Sequence, residues 1–153
     1  MGRCNSLKNI NILVIDGQGG GIGKSLVLGI SQKFNNINII AAGTTDIACE
    51  NMKKAGANIS VWGEENIIKL TKEADIITGV MGVMVPFGIR GEITPAISEA
   101  VFKSNAVKIM VPMNKCHIRI AAKSETLKNH IDMAINMIGE EIEKIQKNYK
   151  EQS

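Results

Sequence analysis

The chain has 153 residues, 44% hydrophobic, 22% charged and 3% aromatic, with a net charge of +3. That is apolar enough to bury a core and excludes a disordered chain, while scattered lysines, no basic run beyond Lys53-Lys54 and few aromatics argue against a nucleic-acid surface. Cys4, Cys49 and Cys116 are too widely spaced for a disulfide framework or a short-spaced zinc motif, and no uncharged run reaches the ~18 apolar residues of a membrane span.

Apolar runs of strand length alternate with segments of helical period. Asn9–Ile15 reads as a first strand, and Ile22, Leu26, Val27, Ile30 and Phe34 mark the helix after it. Asn38–Ala42 is a second strand, followed by a helix carrying Ile47, Ala48, Met52 and Ala55 that stops at Gly56. Ile59–Trp62 is a short third strand. A helix through Ile67, Ile68, Leu70 and Ala74 leads to a fourth strand, Asp75–Val80. An apolar, glycine-punctuated crossing from Gly79 to Glu92 follows. Thr94-Pro95 is a strong helix start, with a hydroxyl at the cap and proline at the first helical position. That helix runs to about Lys103, and Val107–Val111 is the fifth strand. Ile118–Ala121 is read as a further short strand, and a long helix begins near Ser124 and fades near Tyr149. Residues 1–8 and 150–153 read as flexible ends.

Near-continuous apolar strands between helices predict an α/β fold with a parallel sheet covered on both faces. Short connections and right-handed crossovers lead to a single doubly wound, Rossmann-like domain with about five strands. Its ligand edge lies outside the strand C-termini, near the switch in strand order.

The chemistry concentrates there. Asp16-Gly17-Gln18-Gly19-Gly20-Gly21-Ile22-Gly23-Lys24-Ser25 joins a strand to a helix N-terminus. Such a turn offers unpaired N–H groups and the positive end of the helix dipole to an anion. The common Gly-x-Gly-x-x-Gly fingerprint fails because Ile22 falls on its last place. Gly17, Gly21 and Gly23 instead fit Gly-x-x-x-Gly-x-Gly, which resembles the cofactor loop of short-chain dehydrogenases. That resemblance implies an NAD- or NADP-like dinucleotide, with the pyrophosphate on the Gly19–Gly23 amides and Asp16 or Thr44 steadying the turn. The Tyr-x-x-x-Lys pair of those enzymes is missing, since Tyr149 is followed four residues on by Ser153. Three alternatives stay open. Gly23-Lys24-Ser25 matches the end of a phosphate loop, with Lys24 on terminal phosphates and Ser25 on Mg²⁺, as in a nucleoside triphosphate-binding protein or kinase. Or the protein is a non-catalytic sensor or partner subunit whose ligand only sets conformation, or the loop is a glycine-rich turn with no ligand.

Other residues fall on the same edge. Thr44, Thr45 and Asp46 lie about where a ribose-binding acid is expected, and equally where a helix cap is needed. Arg90 and Glu92 close the apolar crossing and are candidates for polar substrate contacts. Asn114, Lys115, Cys116 and His117 form a dense polar cluster after strand five. Asn114-Lys115 resembles a guanine-binding motif of small GTPases, with His117 where an aspartate belongs. Cys116 reads as a buried, inert thiol and His130 as solvent-facing. In the last helix Ile142, Ile145 and Tyr149 keep an apolar seam among charges, which suggests a homodimer or extra packing on the same domain.

Val14 to Lys24, Gly91-Glu92-Ile93-Thr94-Pro95-Ala96 and Asn114-Lys115-Cys116 together resemble an uncharacterised bacterial family of small Rossmann-like proteins, a domain of unknown function. The resemblance implies the fold and a bacterial cytoplasm and assigns no activity. No metal is expected.

Overall fold

The computed structural model describes residues 6–115 and 117–153. Five strands run in parallel in the order β3-β2-β1-β4-β5: β1 (Ile10–Asp16), β2 (Ile37–Gly43), β3 (Ile59–Trp62), β4 (Ile76–Val80) and β5 (Val107–Val111). The order doubles back at β1, so the sheet has its switch point between β1 and β4. This is the Rossmann-like arrangement expected.

The apolar runs are nearly continuous in the central strands because both faces are covered. Alternate β1 residues serve opposite cores: Ile10, Ile12 and Val14 face one, Leu13 and Ile15 the other. The first core is closed by α1 (Gly21–Lys33), α2 (Asp46–Lys54) and α5 (Leu127–Gln152); the second by α3 (Glu64–Thr71) and α4 (Pro95–Lys103). Small residues let α1 and α5 approach closely: a Cβ on Gly139 would come within 2.9 Å of the Phe34 ring.

Caps set the helix starts. Thr94 Oγ1 accepts from Ile97 N–H at 3.2 Å with Pro95 at the first helical position, as anticipated. The last helix starts later than Ser124, because Thr126 supplies the capping oxygen to Asn129 N–H at 3.1 Å. It also runs through 150–152, where a flexible tail is expected. α3 ends at Thr71, ahead of Ala74, where Thr71 Oγ1 turns back to Ile68 O. At the other end Lys8 is tied down: it exchanges backbone hydrogen bonds with the Gln146 side chain and pairs with Asp75. Residues 1–5 of the expected flexible end lie outside the described residues.

Ile118–Ala121 forms no strand. Its amides are met locally, Ile118 N–H by Lys115 O and Ile120 N–H by Asn114 Oδ1, which leaves no ladder to join. Ile142 and Ile145 pack on the first core rather than standing free, and Tyr149 is exposed. No helix among the described residues is long and apolar enough to cross a membrane.

Candidate functional site

The chain leaves β1 at Asp16 and enters α1 at Gly21. The first four N–H groups of the helix, those of Gly20, Gly21, Ile22 and Gly23, lack intrahelical partners. Two are met within the chain: Gly20 N–H by Gly17 O at 2.9 Å, and Gly23 N–H by Asp16 Oδ2 at 2.6 Å. Asp16 Oδ1 accepts from Gly17 N–H at 2.8 Å. Asp16 is therefore a buried carboxylate plugged into the positive end of α1. Burial pushes its carboxyl above the ordinary aspartate value, the Gly23 and Gly17 amides pull it back, and the charge of Glu92 adds to the rise. The amides of Gly19, Gly21 and Ile22 have no partner among the described residues.

The glycines divide in the same way. A Cβ on Gly23 would lie 2.6 Å from Met52 Sδ and 2.8 Å from Asp16 Cβ. One on Gly17 would collide with Glu92 Oε2 and Thr44 Oγ1. Gly20 is left-handed at φ 66° and a Cβ there would sit 2.8 Å from Ala48 Cα. Those three are glycine because the fold packs against them. Around Gly19 and Gly21 a Cβ would meet nothing within 4 Å, so packing does not explain their lack of a side chain.

Three contacts fasten the loop toward β2 and α2. Thr45 Oγ1 donates to Gln18 O at 2.6 Å while capping α2, and Asn51 Nδ2 donates to Gly19 O at 2.8 Å. Glu92 supplies the third: its Oε2 accepts from Gln18 N–H at 2.9 Å and from Thr44 Oγ1 at 2.6 Å. Glu92 reaches this far because the segment before α4 is tightly coiled. Met81–Met84 make one 3-10 turn, and Phe87, Ile89, Arg90 and Gly91 all take left-handed φ angles, between 52° and 86°. Non-glycine residues there carry strain, held by Phe87 N–H to Ile93 O at 2.7 Å and Ile93 N–H to Gly88 O at 3.1 Å.

On the other side of the loop a cleft of about 270 Å³ opens at the β1–β4 switch point. Its polar rim is Asp16 to Gly21, with Arg90 and Lys115 at the mouth. Ile22, Val80, Met81, Val85, Ile89, Met113 and Ile118 form its apolar wall. Neither Arg90 nor Lys115 makes an ion pair among the described residues. The arrangement can take an anion on three free amides and two cations, and a flat apolar group against the wall.

The structure thus brings together Asp16 to Ile22, Arg90 and Lys115 from the expected site. Gly23 lies below it, with its amide already held. Lys24 is exposed and outside the cleft lining, and Ser25 Oγ donates to Gly21 O at 3.1 Å. Thr44 and Thr45 sit behind the loop as its fasteners, and Asp46 is exposed and bonds the neighbouring Ile47 N–H. Glu92 faces the glycine turn and not the cleft. Asn114 lines a separate hollow of about 250 Å³, along with Lys123, Glu125 and His130, which is half-buried rather than solvent-facing. His117 is exposed, and Cys116 lies outside the described residues. Met113, Ile118 and Asn51 are the additions. Asn51, seven residues after Thr44, was legible only as a polar face of α2. No three of His, Cys, Asp and Glu cluster to hold a metal among the described residues.

Comparison with known proteins adds a family. The profile of a family described as Domain of unknown function (DUF3842) matches residues 11–143. No curated protein matches the chain. Among solved structures it is similar to apo saccharopine dehydrogenase (L-Glu forming) from Saccharomyces cerevisiae, at 14% identity and a TM-score of 0.46, over 79% of this chain. It spans about a quarter (24%) of that chain's length. It is also similar to a dodecameric FMN-dependent UbiX-like decarboxylase from Escherichia coli O157:H7, at 15% identity and a TM-score of 0.43, over 84% of this chain and 75% of that one.

Proposed function

The chain belongs to this DUF3842 family of unknown function, and from the site it carries we propose that it binds a nucleotide in the cleft between β1 and β4. One observation carries the reading: the amides of the glycine loop without partners among the described residues, those of Gly19, Gly21 and Ile22, belong to residues that line an apolar-walled cleft. A phosphate takes those donors at the positive end of α1, and Arg90 and Lys115 offset its charge. A nucleobase or nicotinamide ring then lies against Val80, Met81, Ile89 and Met113. NAD and NADP, the ligands to which the loop pattern points, contain such a unit. Asp16 does not touch the phosphate; it holds the turn that presents the amides.

Thermal unfolding of the full chain with NAD⁺, NADP⁺, FMN, AMP and Mg·ATP tests this. A ligand present at 100 times its Kd adds about 2.7 kcal/mol to the stability of the native state. We expect at least one of them to raise the Tm of the wild type and to lose that effect in Gly21→Val, whose side chain would stand over the free amides. No shift with any of them, or the same shift in Gly21→Val, refutes nucleotide binding at this loop.

A further inference from the structure

Resting on that reading of the site, we infer that the cleft seats a mononucleotide, one phosphate monoester with one sugar and one ring, and has no place for the second half of a dinucleotide. Three features of the site point the same way.

The first is the supply of donors. Asp16 holds the amides of Gly17 and Gly23, Glu92 holds that of Gln18, and Gly20 N–H closes the turn on Gly17 O. What remains is Gly19, Gly21 and Ile22. Three N–H groups suit the terminal oxygens of one phosphate; a pyrophosphate would call on amides that two carboxylates already occupy.

The second is where the cleft lies. In a dinucleotide-binding Rossmann fold one nucleoside reaches across to the end of the second strand, where an acid takes its ribose hydroxyls. Here no residue of β2 or α2 lines the cleft, which is confined to the edges of β1, β4 and β5. Thr45, Asn51 and Glu92 bond across the gap between the glycine turn and α2, so the route to β2 is filled by the chain itself. Gly17 is part of the same closure, since any Cβ there would strike the Glu92 carboxylate.

The third is charge and size. Glu92, which is not part of the cleft lining, places an anion over Gln18, on the side where a second phosphate would lie. The cations Arg90 and Lys115 are on the cleft side. The volume of about 270 Å³ falls just below the usual range of small-molecule sites, which run from roughly 300 Å³ upward.

Calorimetric titration of the full chain with AMP, FMN and nicotinamide mononucleotide against NAD⁺ and NADP⁺ decides the matter. We expect the best mononucleotide to bind at least tenfold more tightly than either dinucleotide. In Glu92→Gln, which removes the charge from the closed side, the gap should narrow at least threefold, provided the variant keeps the wild-type Tm within a few degrees. A dinucleotide that binds as tightly as the best mononucleotide, or more tightly, overturns the inference and leaves nucleotide binding standing. No binding by any of the five compounds overturns both.

Discussion

Replacing Gly21 and Gly23 by alanine, one at a time, separates a glycine kept for a ligand from one kept for the fold. They are two residues apart in the first turn of the same helix, so the backbone argument is nearly common to both. At Gly23 the new methyl would lie 2.6 Å from Met52 Sδ, 2.8 Å from Asp16 Cβ and 2.9 Å from Asp16 Oδ2. Met52 is fully buried in the first core and can yield only into its neighbours. Overpacking of this kind costs typically ~1–3 kcal/mol. Displacing Asp16 also weakens its bond to Gly23 N–H, a charge-assisted contact of the kind contributing about 1.5–3 kcal/mol. A gain of up to about 1 kcal/mol from replacing glycine within a helix offsets part of this. The net loss for Gly23→Ala is therefore ~2–4 kcal/mol. At Gly21 there is nothing within 4 Å, and Gly21→Ala should stay within about 0.5 kcal/mol of wild type or be slightly stabilised. Urea unfolding monitored by circular dichroism reads both. Equal effects at the two positions, or a large loss at Gly21, would refute the division of the glycines.

Other consequences follow from named groups. Because burial raises the Asp16 carboxyl, its contribution favours the native state below the ordinary aspartate value and is lost as pH rises through the higher folded value. Its side-chain carbon should titrate in the native protein above the ~3.9 of model peptides, and a midpoint below that would show the glycine amides outweighing burial. Lys24→Ala should change nucleotide affinity by no more than about twofold, since Lys24 lies outside the cleft; a tenfold loss, about 1.4 kcal/mol, would restore the phosphate-loop reading. Arg90→Ala, at the cleft mouth, should weaken a phosphate monoester several-fold and make the remaining affinity less sensitive to salt. An unchanged salt dependence would remove Arg90 from the site.

Much of the fold could be read along the chain because its signals are local. β1 and β4 are buried on both faces, so their runs are mostly apolar, with only Asn11 and Thr78 as polar interruptions, and Thr94-Pro95 caps α4 with its own side chain. The errors came where two local signals compete. Ser124 and Thr126 both offer a hydroxyl, and only the second accepts from the helix. Ile118–Ala121 has strand composition, yet Asn114 satisfies the amide that a ladder would need. The glycine turn is legible as a strand-to-helix junction, and its internal division is not. That division depends on Glu92, which meets Gln18 across 74 positions of sequence, and on Met52 packing under Gly23. Nothing local marks Glu92 as a fastener of the loop rather than a substrate contact. Asp16 accepts from the Gly17 and Gly23 amides, a contact an acid beside glycines at a helix start is suited to make.

Three amides of the turn are proposed to take a ligand's phosphate, while those of Gly17, Gln18 and Gly23 are held by carboxylates and that of Gly20 by a backbone carbonyl. Amide ¹H–¹⁵N spectra of the full chain, recorded during titration with AMP and with FMN, test it residue by residue. Gly19, Gly21 and Ile22 are expected to shift most with at least one of the two, and Gly17 and Gly23, bonded to Asp16, to move little. Shifts centred on Lys24 and Ser25, or none at Gly19, Gly21 and Ile22 with either nucleotide, would contradict it.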